Sequence, residues 1–390
     1  MRRTVRFFWQ DGDATSGFRA GVSLHSHTNH SRESLGFLPR WVSDVPLISW
    51  ELARQTCRYQ TRHGRPPDFA SAYWTSPLSS VEAFDLERTA IENDLALHGI
   101  VSLTDHDTID AGLELQALGR QTPLSLEWTV PFTETFFHLG IHNLSPITAS
   151  ETMQALASYT RQPDAGVLAE TLTWLDAQPG ILIVLNHPLW DQANLGPDHH
   201  RAILGRFLAT YGDRIHALEL NGLRPWRENR MVAELAGALG HPVISGGDRH
   251  GREPNAVVNL TNATTLAAFA DEVRSGYSHV LFLPQYREPL PLRILEALFD
   301  VLQHREELPV RKAWTDRVFY TRNDGSCVPL SDAWANGGPV AVRCFVRGVE
   351  LAGCQRTQQM LRRMVKFALP RAWPAPAAKV HRPTVTTHFM

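Results

Sequence analysis

Between residues 20 and 285 short apolar runs alternate with stretches of helical spacing. A strand that is apolar along its whole length has no face for solvent and must be covered on both sides, usually by crossover helices. That rhythm confines the chain to an α/β architecture with parallel-type strands. Strands are expected at Ala20–His25, Ile100–Thr104, Leu124–Glu127, Ile181–Leu185, Ala217–Leu220, Pro242–Ser245 and Ala256–Leu260. Helical patterns occupy Val81–Leu97, Glu151–Thr160, Val167–Ala177, His199–Tyr211, Trp226–Leu239 and Leu266–Ser275. Seven such strands suit a barrel or a doubly wound sheet. No GxGxxG follows the first run, which disfavours a dinucleotide fold.

Two regions break the rhythm. Residues 34–80 are rich in Pro, Trp, Ser and Arg and read as an insertion after the first strand, beside the top of the fold. Residues 286–350 hold an amphipathic helix, LPLRILEALFDVLQHR, and then strand-like segments, read as an accessory C-terminal region. From Leu351 to Met390 there are seven Lys and Arg and no acid, so the formal charge of −2 conceals an acidic body and a basic tail. The Pro/Ala-rich end of that tail is expected to be partly disordered. The organisation expected is therefore 1–285 as a barrel carrying the 34–80 insertion, then 286–350, then 351–390.

Composition excludes several classes. The near-neutral charge disfavours a wholesale basic nucleic-acid binder. No apolar run approaches the length of a membrane span. The N-terminal arginines meet acidic residues before any signal-peptide core forms. Four cysteines without CxxC pairing indicate neither a disulfide framework nor a thiolate zinc site. A soluble, cytoplasmic protein is the expectation.

What stands out is where the 18 histidines fall. The first strand runs into LHSHTNHS, placing His25 and His27 two residues apart, on one face of an extended segment. The second runs into TDHDT, with Asp105, His106 and Asp107; Asp107 is also an ordinary helix cap. The third carries Glu127 in SLEWTV, and His138 follows in FFHLGIHNL, whose apolar neighbours suggest a buried strand. ILIVLNHP ends in His187, and VISGGDRHG supplies Asp248 and His250 behind two glycines suited to close approach or unusual dihedrals. Alone, each of these reads equally as a loop histidine or a structural polar group. Together they put imidazoles and carboxylates at one strand end after another, a donor set suited to Mn, Fe or Zn rather than to a soft thiolate centre.

At these residues the chain resembles the PHP family, named for polymerase and histidinol phosphatase. The matching motifs are HSHT, TDHD, a Glu followed by HLG, NHP and GGDRH, in family order from His25 to about Leu260. The resemblance implies a distorted seven-stranded (β/α) barrel with two or three divalent metal ions at its rim, and phosphoester hydrolysis. It implies His25, His27, His106, Glu127, His138, His187, Asp248 and His250 as metal ligands, with Glu127 bridging and Asp105 orienting an imidazole. One departure stands out. Where many relatives carry a metal-binding Asp after Ser, this chain has Arg32 after Ser31, leaving Glu33 or His30 to take that place.

No activated serine, cysteine or threonine motif occurs, so the expected chemistry is attack on phosphorus by a metal-bound hydroxide. Arg252 and Arg32 are candidate phosphate clamps, and Asn221 a candidate substrate contact, against ordinary surface and turn roles. The expected substrate is a phosphomonoester or phosphodiester of a small metabolite or nucleotide. The alternatives are a nuclease acting on single strands, with aromatics of the insertion stacking bases, and a non-catalytic domain that retains the metal core. A metal-dependent C–N hydrolase is a further chemistry on a similar barrel.

Overall fold

The computed structural model describes residues 4–10, 13–41, 43, 46–306, 311–322, 324–334 and 336–368. Among these, the strands are, in chain order, β1 (Thr4–Trp9), β2 (Ala20–Leu24), β3 (Glu33–Ser34), β4 (Tyr73–Trp74), β5 (His98–Ser102), β6 (Leu124–Phe132) and β7 (Thr135–Leu144). They continue with β8 (Leu182–Asn186), β9 (Ala217–Asn221), β10 (Val243–Gly246), β11 (Val257–Thr261), β12 (Tyr277–Phe282), β13 (Val318–Thr321) and β14 (Cys327–Pro329).

No single closed sheet of seven strands is found among the described residues. Ten strands make two five-stranded sheets, ordered β1-β12-β11-β2-β5 and β10-β9-β8-β7-β6. Pairing is mixed: β6 and β7 form an antiparallel hairpin, β7 runs antiparallel to β8, and β11 runs antiparallel to both β2 and β12. The two sheets meet edge to edge at the isolated bridges Ser26–Arg249 and His106–Glu127, and Gly247 N donates to the Leu24 carbonyl beside the first. Strands β1 and β12 were not expected. They pair in parallel over six residues and extend the first sheet past β11.

Local chemistry explains the placement of the elements. Helix Ser80–Leu95 begins at a capping box in which Ser79 and Glu82 satisfy each other's backbone amides, and this helix returns the chain to β5 beside β2. In β9 the side chains alternate: Leu218 and Leu220 join the larger apolar cluster with Leu185, Val232 and Ala236, while Ala217 belongs to a second cluster with Val22, Val184 and Ile244. Helix Leu266–Arg274 contributes Leu266, Phe269, Ala270 and Val273 to that second cluster. Toward the opposite strand ends, buried Glu219, His25, Glu127 and Asn186 replace aliphatic side chains. This end of the fold is therefore ionisable.

The two regions that broke the rhythm fold together. Strands β3 and β4, from the two ends of the insertion, join β13 and β14 from the C-terminal region in a small sheet ordered β14-β13-β4-β3. The first part of the basic tail is helical, in the end of Val340–Gly353 and in Gln355–Ala368. Residues 369–390 lie outside the described residues. No helix among the described residues is long and apolar enough to cross a membrane.

Candidate metal centre

The ionisable end gathers nine of the expected residues. Their donor atoms form four overlapping groups: His27, Glu33, His106 and His250; His25, His27 and Asp248; His25, Glu127 and His187; and His106, Glu127 and His138. Glu127 is the hub. Its Oε1 lies 3.2 Å from His138 Nδ1 and 3.1 Å from His187 Nε2, while its Oε2 lies 3.1 Å from His25 Nε2 and 3.4 Å from His27 Nε2. Asp248 Oδ1 sits 3.5 Å from His27 Nε2. Glu33 stands opposite, with Oε2 3.0 Å from His106 Nε2 and Oε1 3.2 Å from His250 Nε2.

Strand ends supply most of these groups. His25, His187 and Asp248 follow β2, β8 and β10, and all three hold left-handed backbone with φ of 63°, 28° and 52°. Non-glycine residues adopt such angles at a cost of about 1–3 kcal/mol each, and that strain concentrates at functional sites. His138 differs from the expectation, because it lies within β7 and registers with Thr129 and Asn186 instead of ending a strand. Since β7 is antiparallel to its neighbours, its beginning is the part at the rim. Glu33 arrives on β3 of the small sheet, and Ser31 Oγ donates to it at 2.6 Å.

Burial and mutual charge set the protonation. Burial works against ionising Glu33 and Glu127, yet the surrounding imidazoles hold both well below the usual carboxylate range. Burial and the neighbouring His250 push His27 down to about 3, so its lone pairs are available. Burial opposes protonation of His106, but Glu33 and Glu127 overcome it and raise the imidazole to about 10. Charged carboxylates thus share one space with imidazoles that hold protons only because of them. A cation entering that space replaces those protons.

The residues present fit such a cation. His25 Nε2, His27 Nε2 and Glu127 Oε2 are fully buried without a hydrogen-bond partner among the described residues, and all three converge on one point. Buried polar atoms are nearly always paired, so three orphans facing one another indicate an absent electrophile.

Around this cluster lies a layer that the sequence reading missed. Glu219, in the middle of β9, is 1% exposed and takes His25 Nδ1 at 2.5 Å, while its second oxygen accepts the backbone N–H of His187 at 2.8 Å. With Nδ1 donating to Glu219, the His25 Nε2 lone pair points at the centre. The two glycines of SGGD follow from close approach, not from unusual dihedrals. A Cβ on Gly246 would overlap Glu219 Oε1, and one on Gly247 would overlap the Asn255 carboxamide. Arg249, between Asp248 and His250, is buried and donates from Nε to Glu87 Oε1 at 2.6 Å, which anchors that loop.

Several expected roles are corrected. Asp105 orients no imidazole; it accepts from Thr28 N at 2.5 Å and Thr28 Oγ1 at 2.6 Å, fixing the backbone just after His27. Burial raises the Asp105 carboxyl to about 6. Arg252 is exposed, and its backbone N–H donates to Asp300 Oδ2. Arg32 lies over Tyr73, and His30 pairs with Glu114 at 2.9 Å, so neither joins the cluster. Asp107 accepts from Thr129 N and caps no helix. Asn221 makes a turn through Leu223 N and also donates to Glu219 and Asp248.

The guanidinium that does stand beside the centre is Arg224. It stacks 3.9 Å over Trp190, whose ring meets His187 edge-on at 5.0 Å. Burial lowers its pKa, while Glu228, Asp248 and Glu219 act in the opposite direction. The LRP segment after β9 carried no signal of this, because the cradle is made by Trp190 from the preceding loop.

No family model matches the chain, and no curated protein matches it. Among solved structures it is similar to a metal-dependent phosphoesterase candidate from Bifidobacterium adolescentis, at 15% identity and TM-score 0.29, over 46% of this chain and 85% of that one. It is also similar to PsfC from Pseudomonas syringae, at 14% identity and TM-score 0.36, over 56% and 86%. A third likeness is to an amidohydrolase from Chromobacterium violaceum with bound sulfate and no metal, at 16% identity and TM-score 0.32, over 59% and 87%.

Proposed function

We propose that this chain is a metal-dependent phosphoesterase that hydrolyses a phosphomonoester or phosphodiester of a small metabolite or nucleotide. The observation that carries the reading is Glu127, one buried carboxylate whose two oxygens each face a different set of imidazoles. Such a carboxylate is suited to bridging cations, and imidazole with carboxylate selects Mn, Fe or Zn. His25, His27, Glu33, His106, Glu127, His138, His187, Asp248 and His250 would hold two or three divalent ions. When bound, those ions supply Lewis acidity and a nucleophile at neutral pH.

The chain's own residues do the rest. Glu219 fixes the His25 ring and the His187 backbone, Asp105 fixes Thr28, and Arg249 fixes the loop from Asp248 to His250. Arg224 offers a planar set of donors at the wall of the centre, the geometry that phosphate oxygens accept in pairs. The anionic, tetrahedral phosphate of such an ester suits this combination of clustered cations and guanidinium better than a neutral amide does.

The test is hydrolysis of a generic aryl phosphate by the full chain loaded with Mn, Fe or Zn. Turnover that disappears on chelation and in His25→Ala/His187→Ala is the expected result. Turnover that survives in that double variant would overturn the assignment.

A further inference from the structure

The small sheet has two faces, and only one is used by the metal centre. Glu33 and Trp74 are register partners, and both turn to the centre: Glu33 meets His106 and His250, and the Trp74 ring lies 5.5 Å from His250. Side chains alternate along strands, so Ser34, Tyr73 and Phe319 occupy the other face. There the Tyr73 and Phe319 rings stack at 5.0 Å and 14°. Arg32 lies 5.3 Å from the Tyr73 centroid and Arg311 lies 5.1 Å from the Phe319 centroid.

Both arginines are exposed, and neither has a carboxylate partner among the described residues. Elsewhere the half-buried Arg88 and the exposed Arg322 are paired with Glu92 and Asp332. Cation–π contacts hold the two guanidinium groups in fixed planes while leaving their charge uncompensated. They also flank the loop that leads into the centre. Arg32 adjoins Glu33 in sequence, and Arg311 Nη1 donates to the Asn29 carbonyl at 3.4 Å.

We propose that the Arg32–Tyr73–Phe319–Arg311 stack docks single-stranded nucleic acid, so that the phosphoester delivered to the metal centre belongs to an oligonucleotide. The proposal rests on the phosphoesterase reading for its second half only. Planar cations spaced by aromatic rings match a strand of alternating phosphates and bases. The charges take phosphates, and the outer guanidinium faces take the π-faces of bases without regard to sequence.

The test is fluorescence anisotropy of a labelled twelve-nucleotide single strand on the full chain with metals chelated, in wild type, Arg32→Ala/Arg311→Ala and Arg32→Lys/Arg311→Lys. Chelation makes the readout independent of hydrolysis, so binding here together with no turnover in the metal-loaded aryl-phosphate assay would leave the surface standing and remove the phosphoesterase reading instead. The alanine pair is expected to weaken binding at least about tenfold and to flatten the slope of log affinity against log salt by about 1.4, the share of two phosphate contacts on a single strand. The lysine pair is expected to keep the salt slope but lose the preference for the normal strand over an abasic strand of equal length. Equal binding of the abasic strand by wild type would overturn the proposal in favour of a general polyanion surface. Unchanged affinity in the alanine pair would overturn it outright.

Discussion

Two clusters of histidine and carboxylate sit at opposite ends of the β9 strand, and only one is unfinished. At its start, His216 accepts the Ile183 N–H on Nδ1 and donates from Nε2 to Asp176 at 2.9 Å, with Arg274 bound to the same carboxylate. Every ring nitrogen there has a protein partner. At the other end, His25 and His27 each leave a buried Nε2 with none, against a Glu127 oxygen that also has none. The ingredients are the same, but the first cluster is a closed structural lock and the second is a set of donors awaiting a cation. A histidine beside a carboxylate is therefore not in itself a site; the unsatisfied atoms make the difference.

The comparison can be broken first at Glu219. Replacing it by Gln removes the charge that holds the His25 ring, and metal affinity is expected to fall about 10- to 100-fold. Titration of the stripped protein with Mn or Zn measures this; unchanged affinity would mean that Glu219 is only packing. Next is Gly246→Ala, whose added methyl overlaps the same carboxylate. It is expected to cost about 1–3 kcal/mol of stability and to weaken metal binding as well. Denaturant melts with and without metal separate the two effects.

The closed lock makes the smallest prediction. Burial, aided by Arg274, depresses His216 to about 4 from its ordinary 6.5 despite the Asp176 hydrogen bond. The unfolded chain therefore binds the proton more readily. His216 should contribute stability that is complete above pH 6.5 and is lost as the pH falls toward 4, on the order of 2 kcal/mol. In His216→Asn that part of the pH dependence should vanish, and a profile identical to wild type would contradict it.

These residues also show what could be read before the structure. Ionisable groups after apolar runs exposed the centre, because burying them without partners is too costly to be accidental. Strand direction was not legible: apolar periodicity is the same for parallel and antiparallel strands, so the buried strand expected around His138 gave no sign that β7 runs antiparallel to its neighbours. Glu219 was hidden because β9 looks like an apolar run when its alternating inner face, Ala217, Glu219 and Asn221, is not separated from Leu218 and Leu220. The small sheet was beyond reach, since strands of two to four residues drawn from positions 33 and 318 carry no local signal of each other. The same long-range closure puts Arg224 over Trp190.

The account rests on Glu127 as the shared carboxylate of a multinuclear centre. Diffraction from metal-loaded crystals, with data on both sides of the metal absorption edge, tests this most directly. Two or three anomalous peaks within coordination distance of the Glu127, His25 and His106 donor atoms are predicted. A single peak, or peaks that leave both Glu127 oxygens without a metal, would contradict it.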